Sequence, residues 1–401
     1  MADLSRRDFL RFGAAAVAVG PGALLAAPAQ ETAPDLQIGY SELRTNLPGG
    51  RRVNVSTMRA MLVKADGTGR RVLAEELTRE ANTSSQFAGW SPDGGVAVIG
   101  RGWESPDNGQ WEEEHKTFRF TAEGCLNDSY LLDLASGKST NITGVERVSF
   151  YNSGLFFWPG DPTKLGFQAL IDGESHPFSM DRDGTNKRDL TKDSKEFAYG
   201  FSASPDGKRI AYHKSYQVYV ADADGGNARR IETGKPFNFV PKWSPDGTEL
   251  LFLSGEHYDC HPYLARADRG EPHKLADRGG YKGVIEFLDV PDFHGGSSDC
   301  PVWSADGRAV FYTAQVGRNV ELFRVNHDGK SEQLTEAPAG SLHYHPTPSP
   351  DGKWLLYGSK RDGVRQLYVM RLRDKNEQRI TDLAEGHAAM WPDWRPTANN
   401  P

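Results

Sequence analysis

The chain has 401 residues, with 47 Lys+Arg against 54 Asp+Glu and a formal net charge of -7; 37% of its residues are hydrophobic and 25% charged. These values exclude a disordered polar chain and lack the basic footprint of a nucleic-acid binder. The 43 Gly and 24 Pro suit many short strands and tight turns, while three cysteines (Cys125, Cys260, Cys300) are too few for a disulfide scaffold and leave at least one thiol unpaired in a monomer.

Residues 1–29 read as an address. Ser5-Arg6-Arg7-Asp8-Phe9-Leu10-Arg11 carries paired arginines before an apolar pair; residues 12–27 are mostly Ala, Gly, Val and Leu, and Ala27-Pro28-Ala29 is a small-x-small cleavage pattern. The segment resembles a bacterial twin-arginine export signal. The apolar run contains Gly20-Pro21-Gly22 and falls short of the roughly 20 residues a spanning helix needs. The resemblance implies recognition by the twin-arginine export machinery, cleavage, a periplasmic or secreted product, and no stable membrane insertion after cleavage.

Residues 30–401 carry a repeat. Ser-Pro-Asp-Gly occurs at 91–94, 204–207, 244–247 and 349–352, with Ser304-Ala305-Asp306-Gly307 as a variant. Trp precedes three copies, at Trp90, Trp243 and Trp303, and a strand-like apolar run comes after each copy. A second signature is out of phase: an apolar strand, a Gly turn, a polar stretch, then Leu or Ile, usually with Thr, as at Asn141-Ile142-Thr143, Leu190-Thr191, Leu334-Thr335 and Ile380-Thr381. Seven copies of this second signature imply seven units of four strands and about 53 residues each. Asp-Gly supplies the positive-φ residues of tight hairpins. One four-stranded sheet cannot bury both faces, so the units are expected to stack around an axis as an all-β, seven-bladed β-propeller. Trp158-Pro159-Gly160-Asp161 reads as a degenerate turn in blade three. Blade one lacks its own first strand; the C-terminal Met390-Trp391-Pro392-Asp393-Trp394 is expected to supply it, so that pairing of N- and C-terminal strands closes the ring and removes open edges. The stretches 102–124 and 279–296 read as inserted loops. These units resemble the TolB-type propeller repeat, which occurs in colicin-tolerance accessory proteins, peptidase-associated propellers and carbohydrate lyases.

In such blades the second-to-third loops and the inter-blade links share one rim. Nine of the eleven histidines fall there, His273 and His327 being the exceptions. They are densest at His257-Tyr258-Asp259-Cys260-His261, at His294-Gly295-Gly296-Ser297-Ser298-Asp299-Cys300 and at His343-Tyr344-His345. His343 and His345, two apart at the start of an inner strand, are expected to share a face. Cys300 holds the phase in blade six that His345 holds in blade seven. Such a set suits a divalent metal, Zn²⁺ or Mn²⁺; the competing reading is channel-lining histidines bonded to water. His257, His294 and Asp299 are expected to contact a carbohydrate or peptide ligand, and His261 or Tyr258 to act as base if a proton is removed α to a carboxylate. The Gly-Gly-Ser-Ser run at 295–298 either presents N–H groups to an anion or is a plain loop. Cys260 and Cys300 lie on the same rim, where an oxidising compartment admits a disulfide.

His343-Tyr344-His345-Pro346 also resembles the metal-binding His-x-His-Pro stretch of oligogalacturonate lyases, seven-bladed propellers that hold a divalent metal with three His and a Gln and abstract the C5 proton of a uronate. The resemblance implies metal ligation by His343 and His345. It puts the family's other two ligands near Cys300 and Gly340, its catalytic His near Val240 and its Arg near His261. Together these features point to a ligand-binding exported propeller, with a metal-assisted lyase and a protein-interaction scaffold as alternatives.

Overall fold

Ser-Pro-Asp-Gly is a self-contained hydrogen-bonded turn. In the copy at 244–247, Ser244 Oγ donates to Asp246 Oδ1 (2.6 Å) and accepts the Glu249 N–H (2.9 Å), while Asp246 Oδ1 accepts the Thr248 N–H (3.0 Å). The Gly247 N–H returns to the Ser244 carbonyl at 2.9 Å, with Gly247 at φ 71°. The same Ser-to-Asp bond recurs at Ser91, Ser204, Ser304 and Ser349. Each position therefore needs its own chemistry: a hydroxyl that donates and accepts, a carboxylate, and a residue at home in the left-handed region.

The second signature has a job of the same kind. Thr335 Oγ1 accepts the Leu322 N–H (2.9 Å) and donates to Glu321 (2.6 Å); Thr381 repeats this with Leu367 and Gln366, and Thr143 with Ser129 and Asp128. The hydroxyl thus continues the ladder where the short outer strand ends. In several copies, though not at Gly137, the Gly of the turn faces the preceding blade: a Cβ on Gly225 (φ 81°) would stand 1.8 Å from the Leu190 carbonyl oxygen, and one on Gly184 2.4 Å from that of Ile142. In those copies the two halves of the signature, Gly turn and Leu or Ile, meet between successive blades.

The computed structural model describes residues 35–115, 119, 124–144, 155–171, 174–191, 194, 196–269, 271–285, 290–291 and 298–397. The export-type segment 1–29 lies outside them. Seven four-stranded antiparallel sheets succeed one another along the chain. Blade 2 runs through Thr83–Trp90, Val96–Glu104, Cys125–Asp133 and Ser139–Asn141; blade 3 through Phe156–Phe157, Lys164–Ile171, Glu174–Asp181 and Arg188–Asp189; blade 4 through Ala198–Ala203, Arg209–Lys214, Gln217–Asp222 and Arg229–Arg230. Blade 5 comprises Phe237–Trp243, Glu249–Glu256, Asp259–Arg266 and Pro272–Lys274; blade 6 Val302–Trp303, Ala309–Val316, Asn319–Asn326 and Ser331–Gln333; blade 7 His343–Pro348, Trp354–Ser359, Gln366–Arg371 and Asn376–Arg379. Blade 1 joins Gln37–Arg44, Arg59–Lys64 and Arg71–Val72 to the C-terminal strand His387–Trp394, which pairs antiparallel with Gln37–Arg44. The ring closes as the sequence predicts.

Indole N–H groups fasten the blades. Trp243 donates to Ser202 O (3.4 Å), Trp303 to Lys242 O (3.4 Å), Trp394 to Thr347 O (3.0 Å) and Trp90 to Asp393 O (3.3 Å), in each case across to the preceding blade. The core lies between sheets; Ala211, Val218, Val220, Trp243, Leu250 and Phe252, from blades 4 and 5, form one such buried layer. Two expectations need correction. The stretch 102–124 is not simply a loop: it contains a helix, Pro106–His115, and a shorter helix, Gly50–Ser56, occupies the equivalent connection in blade 1. The stretch 279–296 includes a small hairpin, Val284–Ile285 with Val290–Pro291. Among the described residues no helix is long and apolar enough to cross a membrane.

Candidate functional site

The inner strands carry a bulge at a constant phase. Register shifts fall between Tyr199 and Ser202, Phe239 and Lys242, and Tyr344 and Thr347. In blades 4, 5 and 7 the residue four before the turn Ser is left-handed: Gly200 (φ 66°), Val240 (φ 47°) and His345 (φ 51°). A bulge adds one residue to the strand and re-aims the side chains beyond it. His343 and His345 therefore do not share a face as strict alternation predicts. His343 is fully buried, with Nε2 3.3 Å from Glu321 Oε2 and its ring 5.6 Å from that of Tyr357. His345 meets a different carboxylate, with Nδ1 3.1 Å from Asp299 Oδ1 in the link that leads into blade 6.

Burial raises the Glu321 carboxyl, but hydrogen bonds from His343, Thr335, the Ala337 N–H and Asn319 outweigh it and bring the pKa to about 2. Asp299 obeys the same logic. Its burial acts upward, yet His345, the Tyr281 hydroxyl and the Arg278 charge hold it below the usual carboxylate range. Asp299 Oδ1 also accepts the His345 N–H (3.0 Å), and Tyr281 donates to Oδ2 (2.7 Å). The Arg278 guanidinium is fully buried, bonds Thr313 O (3.1 Å) and Ser298 O (3.2 Å), and lies over the Tyr281 ring. Its backbone N–H donates to His261 Nδ1 (3.1 Å), so the imidazole proton sits on Nε2, 3.2 Å from Asp259. Burial first, then Lys274, lowers the His261 pKa. His261, Asp299 and His345 thus belong to one buried chain through blades 5, 6 and 7, completed by Arg278 and Tyr281, which sequence reasoning missed. With its Nδ1 lone pair engaged, His261 serves here as an acceptor that positions the link holding Arg278.

The expected metal set does not assemble. His343 and His345 face different carboxylates, and among the described residues no group of three or more His, Cys, Asp or Glu side chains is arranged to hold a metal ion. Cys260 is buried beside Phe239 and Leu253 with Cys300 packed against the same cluster, and both are thiols. His294 and residues 295–297 lie outside the described residues.

The more extensive feature of this rim is aromatic. From blade 4 to blade 5 the rings run Phe197–Tyr199 (5.8 Å between centroids), Tyr199–His213 (5.7 Å), His213–Phe239 (5.8 Å), Phe239–Tyr216 (5.6 Å), Tyr216–Phe237 (5.2 Å), Phe237–His257 (5.1 Å) and His257–Tyr258 (4.1 Å). All belong to inter-blade links, second-to-third turns or the strand ends next to them. Phe197 and Tyr216 are 41% and 40% exposed. His257 and Tyr258, singled out from the sequence, form the end of this shelf. Its other members had a signal: Phe197 and Phe237 stand seven residues before the turn serine, Tyr199 and Phe239 five before it.

Fold and rim define the class, a seven-bladed β-propeller closed by its chain ends with an aromatic, histidine-rich face. Residues 213–400, just under half of the chain, match the TolB beta propeller domain model. An uncharacterized protein of Agrobacterium fabrum is 26% identical over 208 residues, 48% of this chain and 64% of its own length. The Tol-Pal system protein TolB of Bordetella pertussis is 27% identical over 164 residues, 40% of this chain and 34% of its own. This chain therefore spans less than two thirds of these relatives. Oligogalacturonate lyase in complex with manganese superposes with a TM-score of 0.55 at 15% identity, covering 88% of this chain and 89% of that one, a likeness of fold.

Proposed function

We propose that the chain is an exported TolB-like propeller that binds an extended, apolar or aromatic peptide segment of a partner protein on its histidine-rich rim. The observation that carries this reading is the eight-ring shelf from Phe197 to Tyr258, with Phe197 and Tyr216 presented to solvent. Above the buried His213 and Phe239, the outer rings are inclined to one another by 10° at Phe197–Tyr199 and 59° at Tyr216–Phe237, which supports binding between faces and edges rather than on one flat plane. Alternating side chains of an extended peptide suit such an arrangement, and aromatic anchors dominate interface energetics. The likeness to TolB, a protein of the Tol-Pal system by its name, supports a protein partner. The lyase reading finds no support in the ligand set, because His343 and His345 pair with different carboxylates and no third ligand joins them among the described residues.

The test is binding of an immobilised random-peptide library beside a glycan array, with Phe197→Ala and Tyr216→Ala as variants. Selected peptides rich in aromatic or apolar residues, lost in both variants, support the reading. Glycan binding that survives in their place, or peptide binding untouched by both variants, overturns it.

A further inference from the structure

A cavity lies on the same rim at blades 1 and 2, away from the aromatic shelf. It is roofed by the helices α1 (Gly50–Ser56) and α2 (Pro106–His115) and lined by Arg51, Arg52, Trp103, Glu104, Glu112 and Asn127 among others. The roof is closely fitted: a Cβ on Gly109 of α2 would stand 1.8 Å from Arg52 Cδ, so only glycine lets the helix lie on that arginine stem.

The charges in this cavity are unevenly matched. Arg51 and Glu112 form an ion pair, and Glu112 also accepts the Arg119 N–H (2.6 Å). That pair is internally satisfied. Arg52 and Glu104 are opposite in sign yet form no ion pair with each other among the described residues. Each has a neutral amide instead: Arg52 Nη2 donates to Asn82 Oδ1, and Glu104 Oε1 accepts from Asn108 Nδ2 (3.1 Å). Arg52 Nε is buried with no hydrogen-bond partner. A buried guanidinium N–H without an acceptor is unfavourable, and Arg recognises carboxylates through paired N–H groups.

We infer that this cavity binds a small α-amino acid, its carboxylate on Arg52 and its ammonium on Glu104, with the side chain against Val55 and Trp103. A zwitterion brings an acceptor to Arg52 Nε and a charged donor to Glu104, whose hydrogen bond is to a neutral amide, which neither a simple anion nor a simple cation does. The competing occupant is ordered water, which also satisfies buried polar atoms.

The test is a thermal-shift and calorimetric screen of the folded chain against the twenty common amino acids at 10 mM, an assay concentration, each beside its des-amino acid and its decarboxylated amine. The expected result is a rise in melting temperature with at least one amino acid, whose two analogues bind at least tenfold more weakly. Glu104→Gln brings that amino acid down to the affinity of its des-amino analogue. Arg52→Lys, which keeps the charge and loses the fork, weakens it by a similar factor; should that variant misfold, Glu104→Gln alone decides. Phe197→Ala leaves this binding unchanged, which separates it from the rim reading. No response to any amino acid, analogues that bind equally well, or a cavity holding ordered water only in crystals grown with the amino acids would overturn the inference.

Discussion

Asp299 and His345 join blades 6 and 7 twice, the carboxylate lying 3.1 Å from the imidazole Nδ1 and accepting the backbone N–H of the same residue at 3.0 Å. The second bond depends on the bulge, because only the left-handed turn at His345 brings its N–H and its side chain to one oxygen. Removing the charge leaves His345, Tyr281 and Arg278 facing a neutral amide. Asp299→Asn is expected to cost about 3 kcal/mol in urea unfolding at pH 7. Because the folded-state pKa of Asp299 is depressed, its stabilisation is present above the unfolded carboxylate pKa and is lost as pH falls through the folded one. The cost of the substitution should therefore shrink in strong acid. An equal cost at pH 7 and pH 3 contradicts this.

Asp393, in the inner strand of blade 1, behaves in the opposite way. Burial pushes its pKa up to about 7 against the Trp394 N–H and Lys242. A raised carboxyl favours folding below its unfolded pKa and loses that advantage as pH rises through the folded value. Asp393→Asn should raise the melting temperature at pH 8 and leave it nearly unchanged at pH 4. A lower melting temperature at pH 8 counts against the assignment.

Gly137 and Gly225 have similar backbone angles, φ 70° and φ 81°, and different surroundings. A Cβ at Gly137 meets open space, whereas at Gly225 it meets the Leu190 carbonyl oxygen. Gly137→Ala is expected to cost about 1 kcal/mol for the left-handed conformation alone. Gly225→Ala should cost at least twice that, since blades 3 and 4 must separate to admit the methyl group. Comparable denaturation midpoints for the two variants would remove the inter-blade role given to the Gly turn.

Phe197 and Tyr216 are exposed enough to be replaced without loss of core. Each alanine variant should leave denaturant stability within about 0.5 kcal/mol of the parent. Each should weaken a selected peptide about tenfold, the effect of removing one well-seated aromatic anchor. Surface plasmon resonance with the double variant checks this; retained affinity removes the shelf from the interface.

The sequence by itself determined the ring. Ser244, Asp246 and Gly247 bond to one another within a few residues, and Thr335 or Thr381 closes a ladder within its own blade, so contiguous chemistry repeats legibly and counts the blades. Even the closure was readable, because Met390-Trp391-Pro392-Asp393-Trp394 looks like the start of another unit while blade one lacks its own first strand. The tertiary structure alone decided what faces what on the rim. One left-handed residue at His345 breaks the two-residue period on which a shared face with His343 rests, and residue type does not announce it, since Gly, Val and His hold the same position in blades 4, 5 and 7. Arg278 and Tyr281 matter only because blades 5, 6 and 7 bring remote links within hydrogen-bond reach. The aromatic shelf likewise exists only where two blades lie side by side, and the amphoteric cavity only where two inserted helices cover the ends of blades 1 and 2. Backbone turns are written in neighbouring residues; the groupings of side chains on this rim are written across sheets, where proximity comes from closing the wheel.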